Sequence, residues 1–163
     1  MAAAILLLLI FPSDSYSQVH TKSFGFGLIL GEPTGLTLKG SLGGNNAWDA
    51  AIGASWFGRT RIHADYLWEV NAFNSHKAGL YFGIGGALGL GRGNGVLVRG
   101  NGHDWYYYEN ENAVAFGVRA VGGIDAMPFN APVEFFVELA PIVGFVPATG
   151  IGYDVAFGVR FYP

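Results

Sequence analysis

The sequence predicts an all-β protein, an eight-stranded antiparallel up-and-down transmembrane β-barrel. Three observations lead there. The last segment alternates strictly: Ile151, Tyr153, Val155, Phe157, Val159 and Phe161 share one face, and Gly152, Asp154, Ala156, Gly158, Arg160 and Tyr162 share the other, which is the period of two of a strand. Charged residues make up 13% of the chain and hydrophobic residues 51%, against about 25% charged in soluble domains. Beyond the N-terminus, no apolar run approaches the roughly 20 residues of a spanning helix. A barrel wall reconciles these facts, because it needs apolar residues only at alternate positions.

The N-terminal segment reads as a targeting signal. Ala2 to Phe11 is uninterruptedly apolar, Pro12 and Ser13 break it, and Ser15-Tyr16-Ser17 offers small residues at cleavage-site spacing. A signal peptide over 1–17 and a barrel domain over 18–163 follow, although no Lys or Arg precedes the apolar run.

Eight strands are expected at 22–31, 34–43, 47–57, 60–70, 78–91, 113–126, 133–141 and 150–162. The first turns Phe24, Phe26, Leu28 and Leu30 outward, and Glu32-Pro33 makes a tight connection to the second, which turns out Leu36, Leu38 and Leu42. Gly43-Gly44-Asn45-Asn46 is a turn by composition. The third strand shows Trp48, Ala50, Ile52, Ala54 and Trp56 outward, and Gly58-Arg59 is the next tight turn. The fourth shows Ile62, Ala64, Tyr66, Trp68 and Val70, and the fifth Leu80, Phe82, Ile84, Leu88 and Leu90. The longest connection, from about Gly91 to Asn112, carries two β-prone runs around Gly100-Asn101-Gly102. It reads as a hairpin extending strands five and six above the membrane. The sixth strand then shows Val114, Phe116, Val118, Ala120 and Ile124, and the seventh Val133, Phe135, Val137 and Leu139. Trp48, Trp68 and Phe161 fall near periplasmic strand ends and Trp56 and Tyr153 near external ones, where amphipathic rings meet headgroups.

No charged residue falls on the outward set. A charge at mid-bilayer on that face costs about 2–4 kcal/mol. A soluble lipocalin-like barrel would invert the arrangement, apolar inside and polar outside. The inward charges predict a lumen polar network of Lys39, Arg61, His63, Asp65, Arg119, Glu138, Asp154 and Arg160. Lys39, Asp65, Arg119, Glu138 and Asp154 are placed at middle height. Such groups must pair, since an unpaired buried charge is costly, so a closed polar plug is expected. Asp49, Glu69, Asp125 and Glu134, with Arg160, read as a solvated acidic rim rather than a divalent-cation site.

No catalytic residue, metal site or cofactor is expected. The chain has no cysteine, which removes thiol chemistry. A net charge of −3 offers no basic surface for nucleic acid. Ser55, His63 and Asp65 share the inward side of neighbouring strands, but inward groups are screened from acyl chains. His20, His76 and His103 lie outside the barrel wall, and no His-X-Ser-Asn signature of a lipid A deacylase is present. Gly83-Ile84-Gly85-Gly86-Ala87-Leu88-Gly89 lies within a strand, so the phosphate-cradling helix end of a dinucleotide site is missing. Trp105, Tyr106, Tyr107 and Tyr108 form the most distinctive external patch, read first as an interfacial or hairpin-stabilising cluster and, as the alternative, as a binding surface for a glycan or a host protein.

With its tight Gly31-to-Thr37 connection and its C-terminal Val155-Ala156-Phe157-Gly158-Val159-Arg160-Phe161, the chain resembles the OmpA-like family of small outer-membrane barrels. Pro163 after Tyr162 departs from the aromatic residue that usually ends such chains. The resemblance implies a bacterial outer-membrane location and contact with outer-membrane lipids, lipopolysaccharide and the barrel-assembly machinery. It implies a monomer with a structural or surface-interaction role. The peptidoglycan-binding domain of larger members has no counterpart in this sequence, which puts the cell-wall tethering role of those members in doubt here. A narrow pore for ions or small solutes is the alternative, and a lipid-modifying enzyme the third reading.

Overall fold

The computed structural model describes residues 24–74, 77–99, 105–110, 114–129, 131–146 and 149–163, with side chains left aside at 93–99 and 105–110. The expected signal peptide and His20, His76 and His103 lie outside the described residues. The strands are β1 (Phe24–Gly31), β2 (Thr34–Gly43), β3 (Asn46–Ser55), β4 (Gly58–Val70), β5 (Ala78–Leu90), β6 (Gly93–Arg99), β7 (Trp105–Asn110), β8 (Val114–Ala126), β9 (Val133–Val146) and β10 (Gly150–Phe161).

Eight of them close a barrel in the order β1-β2-β3-β4-β5-β8-β9-β10, with β10 returning to β1. All pairings are antiparallel, and the seam joins Phe26 to Phe161 and Leu30 to Phe157. The eight predicted wall strands are therefore present. Closure removes sheet edges, the usual liability of a β structure. The alternation fixes which side chains enter: β4 buries Arg61, His63, Asp65 and Leu67 and exposes Ile62, Ala64, Tyr66 and Trp68 between them.

Three local expectations are corrected. First, β9 does not stop at Pro141 but runs through it to Val146. Its ladder with β8 lacks the rungs opposite Ala140 and Pro141, then resumes in the same register at Arg119↔Ile142. Proline cannot donate to a ladder, but ladder pairing on both sides and with β10 keeps the strand extended. Second, the connection between β3 and β4 is Trp56-Phe57, not Gly58-Arg59, with Ser55↔Gly58 as the closing pair after an irregularity in register. Gly58 is buried with its Cα side against Gly89, where a Cβ would strike backbone. Third, the β6–β7 hairpin does not stand up from β5 and β8. Leu97 of β6 pairs with Ile151 of β10, and β6 also touches β4. These two wall strands are opposite each other in the ring, so the hairpin straps across the barrel mouth.

The barrel has a terminal end, where β1 starts and β10 finishes, and a distal end, which carries the hairpin.

Candidate functional site

The lumen is the chemically distinctive region, and its charged side chains form three levels. At the distal level, Arg61 donates from Nη1 to Asp154 Oδ1 at 3.0 Å and from Nη2 to Oδ2 at 2.6 Å. The fork geometry of guanidinium matches a carboxylate in this way. At the middle level, Arg119 donates to Glu138 at 3.0 Å, and its other Nη lies 3.6 Å from Asp65. Tyr81 donates to the second oxygen of Glu138 at 3.3 Å.

At the terminal level, Arg160 donates to Glu134 at 3.0 Å, to Asp49 at 3.1 Å and to Thr37 Oγ1 at 2.9 Å. Its guanidinium carbon sits 3.9 Å over the Phe136 ring, a favourable stacking site for a weakly hydrated cation. Lys39 Nζ meets Glu69 and Asp125, both at 2.8 Å, and Glu134 at 3.7 Å. Tyr162 donates to Glu134 at 2.8 Å and closes this end against Gly25.

The eight residues expected in the lumen network are all buried within it; Glu134 is shared between Lys39 and Arg160, and Arg119 bridges Asp65 and Glu138. Three placements differ from the expectation. Lys39 belongs to the terminal level and Asp154, paired with Arg61, to the distal level, neither to middle height. The acidic set is not a solvated rim: Glu134 is 0% exposed and Asp49 1%, because Lys39, Arg160 and the inturned Tyr162 cover it. Thr37, Tyr81 and Tyr162 were missed as network members, and their inward parity was the available signal.

Apolar side chains share the interior with this network. Phe57, Ala87, Ala115 and Ile142 form a buried cluster at the distal end, with Trp56 packed against it. Trp56 meets Phe57 edge to face at 5.7 Å and covers Gly152. It therefore turns over the mouth instead of joining an outward aromatic belt, since the Trp56-Phe57 turn breaks the strand's alternation. Leu67, Tyr81 and Val121 fill a second layer with Ala47 and Ala140. On the outside, an aromatic collar surrounds the terminal end: Phe24 faces Trp48 at 6.3 Å, and Trp68 lies between Tyr66 and Phe82 at 5.1 and 5.5 Å.

Ligating atoms of Asp49, His63 and Asp65 gather within 4.8 Å of one another. Their surroundings do not suit a metal ion. Arg61 Nη2 lies 3.3 Å from His63 Nδ1, and a guanidinium only donates. His63 Nδ1 must then accept, which leaves the proton on Nε2, 3.9 Å from Asp65, where a metal would need a lone pair. Arg119 adds a second cation beside the same carboxylate. Among the described residues, Ser55 and His63 are likewise not joined as nucleophile and base. Ser55 Oγ receives the Phe57 N–H at 3.2 Å and an Arg61 Nη at 3.5 Å, so the Arg61 guanidinium contacts both groups.

Trp105–Tyr108 form part of β7, paired to β6 from Arg99↔Trp105 to Val96↔Tyr108. Their side chains lie outside the described set, so the proposed external patch is located only by its backbone. No family model matches the chain, and comparison with curated proteins and with solved structures finds no match.

Proposed function

We propose that this chain is an integral outer-membrane barrel of the OmpA-like kind, with a structural or surface-interaction role and no catalysis. One observation carries the reading, the inverted distribution of polarity. Leu28, Val155 and Tyr153 are 58%, 60% and 66% exposed, whereas Arg61, Arg119 and Asp154 are each 0% exposed. The apolar exterior is continuous around the ring, far beyond the few hundred Å² of apolar patch normal on a soluble monomer. Hydrocarbon outside and ion pairs inside satisfy both faces. Closure supports the same reading, since a span made of strands must pair every backbone group.

In this frame the terminal end is periplasmic, and the hairpin end faces outward with Trp105, Tyr106, Tyr107 and Tyr108. The partners are outer-membrane lipids and lipopolysaccharide, the barrel-assembly machinery during insertion and an extracellular ligand. The protein acts as a monomer.

Membrane fractionation combined with heat-modifiable gel migration tests this. The expected result is recovery in the outer membrane and a faster-migrating unboiled band. Recovery as a soluble species overturns the reading. A narrow cation pore is the second reading, favoured by the excess of lumen carboxylates over Lys39, Arg61, Arg119 and Arg160. A stable conductance in planar bilayers would promote it.

A further inference from the structure

Where the middle and terminal ionic levels meet, two aspartates face each other. Asp49 of β3 and Asp65 of β4 are partners in register, and both side chains are buried in the lumen, 1% and 3% exposed. Their carboxyl oxygens gather with His63 within 4.8 Å, and the two carboxyl groups are within hydrogen-bonding reach of each other. Among the described residues, no N–H or O–H donates to either oxygen of Asp65 or to Oδ1 of Asp49. An ionised carboxylate only accepts, so two of them placed in this way repel and form no bond.

The groups around the pair are engaged elsewhere. Arg160 of β10 reaches Asp49 through Oδ2, at 3.1 Å, and gives its other donors to Glu134 and Thr37. Arg119 of β8 donates to Glu138 of β9 and stays 3.6 Å from Asp65. Lys39 of β2 lies opposite Asp49 in register, but its ammonium is held by Glu69 and Asp125. Tyr81 of β5 donates to Glu138, and His63 Nε2 stands 3.9 Å from Asp65. A hydrated cation is a poor fit between the two aspartates. Gly85 of β5 lies so close to Asp65 Oδ1 that a Cβ there would overlap the oxygen, and hard divalent ions take about six or more oxygen ligands.

We propose that Asp49 and Asp65 bind one proton between them at neutral pH, in a carboxyl–carboxylate bridge that fastens the middle ionic level to the terminal one. Asp49, which already accepts from Arg160, is the ionised partner, and Asp65 donates to it. The bridge satisfies both buried groups and removes one negative charge from a lumen rich in carboxylates. The inference stands on the buried lumen and goes beyond the structural role proposed above. It makes this joint the proton-sensitive part of the interior. Once the proton leaves, two like charges confront each other in a poorly solvating medium.

Infrared spectroscopy of the full chain folded in detergent micelles tests the bridge. At neutral pH, wild type should show the C=O stretch of a protonated, buried carboxyl group. Isotopic labelling of the aspartate carboxyls should move the band, and both Asp65→Asn and Asp49→Asn should lack it. Heat-modifiable migration is read on every sample. An amide resembles the neutral partner, so Asp65→Asn should unfold in urea at the wild-type midpoint or above, whereas Asp154→Asn should unfold well below it. Raising the pH until the band disappears should lower the wild-type midpoint more than that of Asp65→Asn, because the folded form holds a proton that the unfolded chain has already lost. Absence of the band from folded wild type, or its survival in either folded Asn variant, overturns the bridge. Failure of Asp65→Asn to fold does the same, since that carboxyl is already neutral in the proposal. A band that appears only after treatment with a divalent-cation chelator assigns the pair to a metal ion and also overturns it.

Discussion

Arg61 and Asp154 clasp each other across the full width of the barrel, from β4 to the opposite strand β10, through two hydrogen bonds of 3.0 and 2.6 Å. Both side chains are wholly buried. Removing one partner strands the other in a medium that solvates it poorly. Arg61→Met should therefore cost about 3–5 kcal/mol of stability, measured by urea unfolding in detergent micelles. The double replacement Arg61→Met with Asp154→Leu should recover most of that loss, because apolar pairs of similar volume replace buried ion pairs at little cost.

The outer wall makes the opposite demand. Val137→Arg, in the middle of the apolar belt, should destabilise the barrel by about 2–4 kcal/mol in lipid vesicles. Phe24→Arg, at the terminal rim, should cost only about 0–1 kcal/mol. Equal and small effects at both positions would signify an aqueous exterior.

Neighbouring glycines on β8 should respond in opposite directions. Gly122→Ala places its methyl in open space and should stabilise by about 0.4–1 kcal/mol through the unfolded chain. Gly123→Ala drives its methyl into the Tyr81 ring and the Val137 carbonyl. It should lower the midpoint of unfolding and loosen the Tyr81–Glu138 hydrogen bond, read as altered tyrosine fluorescence.

The lumen is filled by side chains beneath the strap. Replacing residues 91–113 by a short turn should leave the barrel folded, since β5 and β8 pair through Leu90↔Val114 without the hairpin. No large conductance should appear in planar bilayers, because the Phe57 cluster and the three ionic levels still block the bore. A stable open state in this variant would show that the strap, not the lumen, closes the barrel.

The wall was legible in the sequence because period two and the exclusion of charge from one face are both local properties. Every charged residue assigned inward, from Lys39 to Arg160, is inward. What could not be read was height and closure. Which level Lys39 joins depends on strand tilt and on the partners that the ring brings opposite it, namely Asp125 and Glu69. The burial of Glu134 depends on Tyr162 folding over it, a contact between side chains of different strands. Trp56 misled because a turn two residues earlier than expected takes it out of the strand's alternation. The length of β9 was not legible because Pro141 cannot donate to a ladder, and only pairing on both sides of it carries the strand on to Val146. The hairpin's lean onto Ile151 rests on a single long-range pairing with no local pattern behind it.

The seam between β1 and β10 has a kinetic consequence. It unites the two wall strands furthest apart along the polypeptide, as in Phe26 with Phe161, so the ring cannot be completed while the C-terminal strand is absent. Until then two raw edges stand open to any other strand nearby, and such non-local pairing is slow. An interrupted or shortened translation product should accumulate as aggregate rather than as a smaller working barrel, which makes the final dozen residues the step that commits the molecule to its native form.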